Sequence, residues 1–276
     1  MELINFDKHF HDYLSGWMDT HTDDYKDFDA MEQDMPHVYK CFLNTPASWL
    51  EGITPGAYFS QFDDCKELVD WMIAYTAQRV PLPSPLLDRI VEVGLPCERR
   101  LLILVKDDCA PVEARMTAIG LLREMESILP KSLYIAWIEK RGENDELCDN
   151  ALESLRQMGH DAIGPMTQSI RRATSCGQEA MLNILADYPG NESVFQIALR
   201  LFIQHPDRCA IFAGYLGKLG DERALPALTQ AAQAPHLSYL DYIEIRCAIE
   251  RLGGDVPPRC FDCDPEDSEM LRRMNE

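Results

Sequence analysis

The chain has 276 residues, 46% of them hydrophobic, and a formal net charge of −20 with a sequence pI near 4.7. So acidic a balance argues against nucleic acid and anionic membranes as partners, because binding to either rests on neutralising phosphates with Lys and Arg. The opening MELINFDKHF lacks a basic region followed by an apolar run, and no apolar stretch approaches ~20 residues, so neither a signal peptide nor a membrane span is expected.

Residues 4–18 place Phe6, Phe10, Leu14 and Trp17 at helical spacing, with Leu3 just before them. This helix is expected to cap the first layer of whatever follows. The stretch from Asp19 to Asp34 carries Asp23, Asp24, Asp27, Asp29 and Glu32. It lacks the turn glycine of an EF-hand, so it reads as a solvated acidic face suited to a basic partner rather than as a metal site. Residues 44–60, NTPASWLEGITPGAYFS, form an ordered loop or broken helix. Its aromatics Trp49, Tyr58 and Phe59 either fill the cap's own core or act as a binding hot spot.

From Ser60 a helix is expected, with Ser60 and Asp63 as a capping box and Phe62, Cys65, Leu68, Val69, Met72, Ile73 and Val80 as its buried stripe. Pro81-Leu82-Pro83 breaks it, and Ser84 is expected to cap the next helix with Pro85 in its first position. Leu101 to Val105 has the composition of a strand but no partner strand elsewhere, so it reads as a buried helix.

A repeat governs the rest. Gly159, Gly190, Gly220 and Gly253 each follow an amphipathic segment at separations of 31, 30 and 33 residues, and Glu126 extends the series backwards by 33 without a glycine. A glycine in that place suits a helix C-terminus, since only Gly enters the left-handed conformation there without a Cβ penalty. Pro165 and Pro226 each fall six residues after an anchor glycine, and Cys148 and Cys209 each fall eleven before one, at a small apolar core position. In 239–252 the residues Leu240, Tyr242, Ile243, Ile245, Cys247, Ala248, Ile249 and Leu252 wrap most of a helix, which then needs cover on several sides. The segments Gly220-Asp221-Glu222-Arg223-Ala224-Leu225-Pro226-Ala227-Leu228 and Ile245-Arg246-Cys247-Ala248-Ile249-Glu250-Arg251-Leu252-Gly253 resemble a HEAT repeat of the short type also found in phycobilin lyases. The likeness is strongest over 205–254 and weaker over 110–204. It implies stacked antiparallel helix pairs, a fold shared by scaffolds, adaptors and a few enzymes.

The expected architecture is therefore all-α, a right-handed α-solenoid of HEAT-like pairs behind a helical N-terminal cap. Its segments are a cap with an acidic stretch and aromatic loop (1–60), a repeat array (61–254) and an acidic tail (255–276). The tail is expected to fold back over the open end through Phe261 and Met270.

The chemistry searched for is largely missing. Cys260-Phe261-Asp262-Cys263 is a lone CxxC without the second ligand pair a zinc site needs. The remaining cysteines are scattered, as for reduced thiols in a cytoplasm. There is no HExxH, no phosphate-cradling Gly-rich loop and no GxSxG elbow. Deoxyhypusine hydroxylases, HEAT-like enzymes, hold iron with His-Glu dipeptides; this chain has none, and His160-Asp161 stands alone. Alkylpurine DNA glycosylases grip DNA with a basic concave face. Here Arg208, Lys218, Arg246 and Arg251 are few and are expected to be balanced by Glu222, Glu244 and Glu250. No catalytic residue, metal or cofactor is expected. The leading expectation is a cytoplasmic, non-enzymatic scaffold that binds another protein or peptide along its inner helices through Arg208, Tyr215, Lys218, Tyr242 and Arg246. The alternative is a lyase-like or glycosylase-like enzyme or small-ligand binder, with a pocket where Trp49, Tyr58 and Asp63 converge.

Overall fold

The computed structural model describes residues 3–235, 237–256 and 259. Among them the regular structure is entirely helical, and the chain divides into two compact units, Met1–Pro130 and Lys131–Glu276. The CxxC at Cys260 and Cys263 and the tail contacts expected of Phe261 and Met270 lie outside the described residues.

The N-terminal unit contains α1 (Phe6–His21), α2 (Phe28–Asn44), α3 (Cys65–Ala77), α4 (Ser84–Val93), α5 (Leu95–Lys106) and α6 (Val112–Glu124). Short polar side chains set the starts of the first three. Asn5 accepts from the Lys8 amide, Asp27 from that of Ala30 and Asp64 from that of Lys66, each satisfying an orphan donor of a first turn. The expected capping box therefore does not form. Ser60 belongs to a 3-10 run, Pro55–Gln61, that ends before α3 begins, and the Asp63 carboxylate pairs instead with Arg89. Ser84 begins α4 without capping it; its hydroxyl hydrogen-bonds the Tyr39 hydroxyl at 2.6 Å. Leu101–Val105 is helical within α5, where Leu101, Leu104 and Val105 are buried and Ile103 stays exposed.

The core of this unit's first half is aromatic. Phe6, Tyr58, Phe59, Phe62 and Trp71 form one chain of rings with centroids 4.7 to 6.5 Å apart. The Tyr75 hydroxyl donates to the Ile4 carbonyl at 2.8 Å and so fastens the start of the chain to α3.

The C-terminal unit contains α7 (Lys131–Glu139), α8 (Glu146–Gln157), α9 (His160–Ser169), α10 (Ser175–Leu185), α11 (Glu192–Gln204), α12 (Cys209–Leu219), α13 (Leu225–Ala232) and α14 (Tyr239–Arg251). Here α12 lies along both α11 and α14, and α13 packs on α14. The anchor residues behave as the repeat requires. Gly159, Gly190, Gly220 and Gly253 all have positive φ, and so does Glu126, in the N-terminal unit, at 53°. Cys148 and Cys209 are buried at matching positions, and burial pushes the Cys148 thiol up to about 12.

Two devices hold successive helices of this unit in register. At Gly177 the backbone of α10 comes so close to α7 that a Cβ would lie 2.2 Å from the Ile138 carbonyl oxygen. Gln178, buried beside it, donates to the Ile170 carbonyl at 3.0 Å and accepts from the Arg200 guanidinium. One amide thereby ties the end of α9 to α11, and a buried polar group is kept satisfied.

Candidate functional site

The residues expected to bind a partner fall on α12 and α14 of the C-terminal unit, with Arg208 immediately before α12. Positions 208, 211, 215 and 218 share one face, since residues three and four apart are neighbours on a helix surface. Within that face exposure divides them. Arg208, Ile211 and Lys218 are exposed, whereas the Tyr215 ring is 8% exposed and shows only its hydroxyl end. Tyr242 is 3% exposed and packs inward from α14, while Arg246 is half-exposed on the same helix. The exposed groups of this face are therefore Arg208, Ile211 and Lys218, with the Tyr215 ring as their floor, while α14 exposes Leu240 and part of Arg246, six residues apart and so on different sides of that helix. Leu240 and Ile211 are each 42% exposed.

Each cation on this surface already has a carboxylate. Arg208 pairs with Glu179 and Lys218 with Asp187 at 2.8 Å, both carboxylates on or just after α10, and Arg246 pairs with Glu250 at 2.7 Å. Of the balancing acids expected from sequence, Glu250 is the one in place; Glu179 and Asp187 were missed. A signal for them existed. Arg208 and Glu179 are 29 residues apart and Lys218 and Asp187 are 31 apart, one repeat in each case. The same spacing recurs in Arg172–Glu139 at 2.8 Å and Arg223–Glu192 at 2.7 Å, so cations of one helix layer regularly meet carboxylates of the layer before.

A hydrogen-bonded line runs between these ion pairs. The Arg156 guanidinium donates to the Asn183 side-chain oxygen, and the Asn183 amide donates to the Tyr215 hydroxyl at 3.3 Å. Burial pushes the Tyr215 phenol up, against a smaller lowering by Asn183, so it remains a neutral hydroxyl at physiological pH. The face formed by α8, α10 and α12 is thus polar, carries both signs of charge and is internally satisfied. At its edge, Arg141, Asn144, Cys176, Glu179 and Arg208 line an open polar cavity of about 290 Å³. Arg141 is itself held by Asp149 at 2.6 Å. A face so compensated has little free positive charge to offer phosphates, and it presents donors and acceptors in alternation.

The aromatic residues of the 44–60 stretch are placed differently. Phe59 is 1% exposed and belongs to the ring core. Tyr58 is half-buried beside Phe59, Phe62 and Trp71. Trp49 is half-buried, stacked flat on His9 at 3.9 Å and edge-on to Phe6 at 5.3 Å, and Phe6 also meets Tyr58 at 5.8 Å. The Asp63 carboxylate pairs instead with Arg89 on α4. Among the described residues, no group of three or more His, Cys, Asp or Glu is arranged to hold a metal ion, and no helix is long and apolar enough to cross a membrane.

Residues 211–234 match the family model described as PBS lyase HEAT-like repeat. The chain carries a HEAT-like repeat. The matched stretch begins inside α12, crosses the left-handed Gly220 and ends two residues after α13, so it contains the first of the two segments read as HEAT-like, 220–228, and not the second, 245–253. Lys218, on the exposed face, falls inside this HEAT-like repeat, while Arg208 lies just before it. No curated protein and no solved structure matches the chain.

Proposed function

We propose that the chain is a cytoplasmic scaffold, without catalytic chemistry of its own, that binds another protein or peptide on the polar face of its HEAT-like helices. In this reading the C-terminal unit is a right-handed stack of helix pairs whose second helices, α8, α10, α12 and α14, form the ligand-bearing side, and α1 caps the aromatic core of the N-terminal unit. The observation that carries the reading is the recurrence of cation–carboxylate pairs at one-repeat spacing, two of them beside the exposed Ile211. Such a strip offers an apolar anchor flanked by both charge signs, which suits a polypeptide bearing both. It suits a polyanion poorly. Repeat folds present extended surfaces of this kind. The acid-rich residues 19–34 would add affinity for basic segments of the same partner.

The test is capture by tagged full-length protein from lysate of the source cells, at low and moderate salt, read by mass spectrometry. Wild type should recover one protein in stoichiometric amount, and a variant combining Ile211→Asp, Lys218→Glu and Arg246→Glu should lose it while melting at nearly the wild-type temperature. Tyr215 and Tyr242 are left intact because truncating either buried ring would damage the fold. Undiminished capture by the triple variant would place the binding surface elsewhere.

A further inference from the structure

Among the described residues, an apolar groove on the first helices of these pairs in the C-terminal unit is left uncovered. Phe202 and Ile203 at the end of α11, Cys209 at the start of α12, Ala227 and Ala231 of α13, and Leu237 line a cavity of about 600 Å³. Ile203 is 64% exposed, a large cost for an isoleucine with nothing over it. The volume is that of a pocket able to take one or two large side chains.

Arg259 locates the chain that follows. Its guanidinium donates to the carbonyls of Ala232, Ala234 and Pro235 at 3.4, 2.6 and 2.9 Å. A cation on the carbonyls just past a helix C-terminus is favourable both as a cap and against the helix dipole, and Ala234 also lines the groove. The chain is thus pinned at the groove's rim one residue before its last segment, 260–276, begins. That segment, CFDCDPEDSEMLRRMNE, confines its large apolar residues to Phe261 near its start and Met270, Leu271 and Met274 towards its end, with five carboxylates between. Phe261 lies two residues beyond the pinned Arg259, about 7 Å along the chain at most.

We propose that the groove is the seat of the chain's own segment 260–276, with Phe261 as the anchor and the Met270–Leu271 pair as a second contact. The tether favours this occupant over a second copy, because a short linker confers a local concentration in the millimolar range. Methionine adapts its shape readily to an irregular apolar pocket, which suits the second contact. The groove lies apart from the polar strip, so the scaffold reading neither requires this docking nor falls with it.

The experiment is photo-crosslinking in the full-length protein carrying p-benzoylphenylalanine at position 261, prepared as an equal mixture of isotopically light and heavy chains. The expected products join position 261 to peptides spanning 202–209 or 227–237, within single chains. Light-to-heavy products would assign the groove to a second copy, and crosslinks confined to other peptides would leave it to an outside partner; either result overturns the proposal. An independent arm compares amide exchange in wild type and Phe261→Asp. Loss of protection over 227–237 in the variant supports the docking, and identical exchange refutes it.

Discussion

Phe59 in the N-terminal unit and Phe212 in the C-terminal unit are each 1% exposed, yet their ring neighbours have different origins. Phe59 meets Phe6 from α1, Tyr58 and Phe62 from its own 3-10 stretch, and Trp71 from α3. Phe212 meets His205 and Tyr215, both within seven residues of it. One unit closes by gathering rings from segments of unlike structure, whereas the other stacks helices of one kind and joins them with contacts that return every repeat. Aromatic gathering leaves no period in the sequence. Stacking does, in backbone and ion pairs alike.

The comparison breaks most sharply on the two phenylalanines. Phe59→Ala and Phe212→Ala should each destabilise by about 3–5 kcal/mol, the usual result of removing a buried ring and leaving a cavity. Amide exchange would show where the loss falls. Phe59→Ala should expose α1, the 48–61 stretch and α3 while α10–α14 keep their protection, and Phe212→Ala should do the reverse. Equal loss across both units from either variant would mean that they unfold as one.

A smaller effect separates two glycines of the repeat unit. Gly177→Ala forces a Cβ against the Ile138 carbonyl, rigid backbone that has little room to yield, and should cost about 1–3 kcal/mol as overpacking does. Gly214 sits inside α12 with nothing within 4 Å of a built Cβ, so Gly214→Ala should stabilise by about 0.5–1 kcal/mol through helix propensity. Urea unfolding of the pair reads both signs.

The anchor series gives a third contrast. Glu126 stands at φ 53°, in the positive range where Gly220 takes the left-handed conformation at φ 69° and ψ 19°, and a residue with a Cβ pays roughly 1–2 kcal/mol in that conformation. Glu126→Gly should therefore stabilise by about 1 kcal/mol and Gly220→Ala should destabilise by about as much, measured as opposite shifts of the urea midpoint. No gain at Glu126 would mean that its side chain compensates the strain.

These cases also show what was legible. The helices, the HEAT-like turn at Gly220, the positive-φ anchors and the buried Cys148 and Cys209 could be read because each recurs at a fixed interval. The ion pairs Arg208–Glu179 and Lys218–Asp187 were equally periodic, but a charge was matched to acids nearby in sequence rather than to those one repeat away. The capping box at Ser60 failed because Pro55 starts a 3-10 run and Asp64, one residue beyond Asp63, takes the capping role. The inward turn of Tyr242 followed from which side of α14 meets α12 and α13, and helical spacing alone does not choose that side.

The smallest predicted effect probes one rung of the periodic ladder through pH. Arg172, and after it the Ser169 hydroxyl, hold the Glu139 carboxyl below its ordinary value of 4.5. A carboxylate whose pKa is depressed on folding contributes stability that is present above the unfolded value and lost as pH falls through the folded one. Glu139→Gln should therefore be less stable than wild type at pH 7, with the gap narrowing as pH drops below 4.5 and closing once the wild-type group is protonated. Arg172 is largely exposed, so the gap at pH 7 should stay at or below about 1 kcal/mol. Arg172→Ala should show the same pH dependence, and the double variant should add little to either single change if the two side chains act on one another. A gap that persists unchanged into acid would show that Glu139 acts through packing at the α7–α10 junction, and the ladder would then be a consequence of the stacking and not one of its causes.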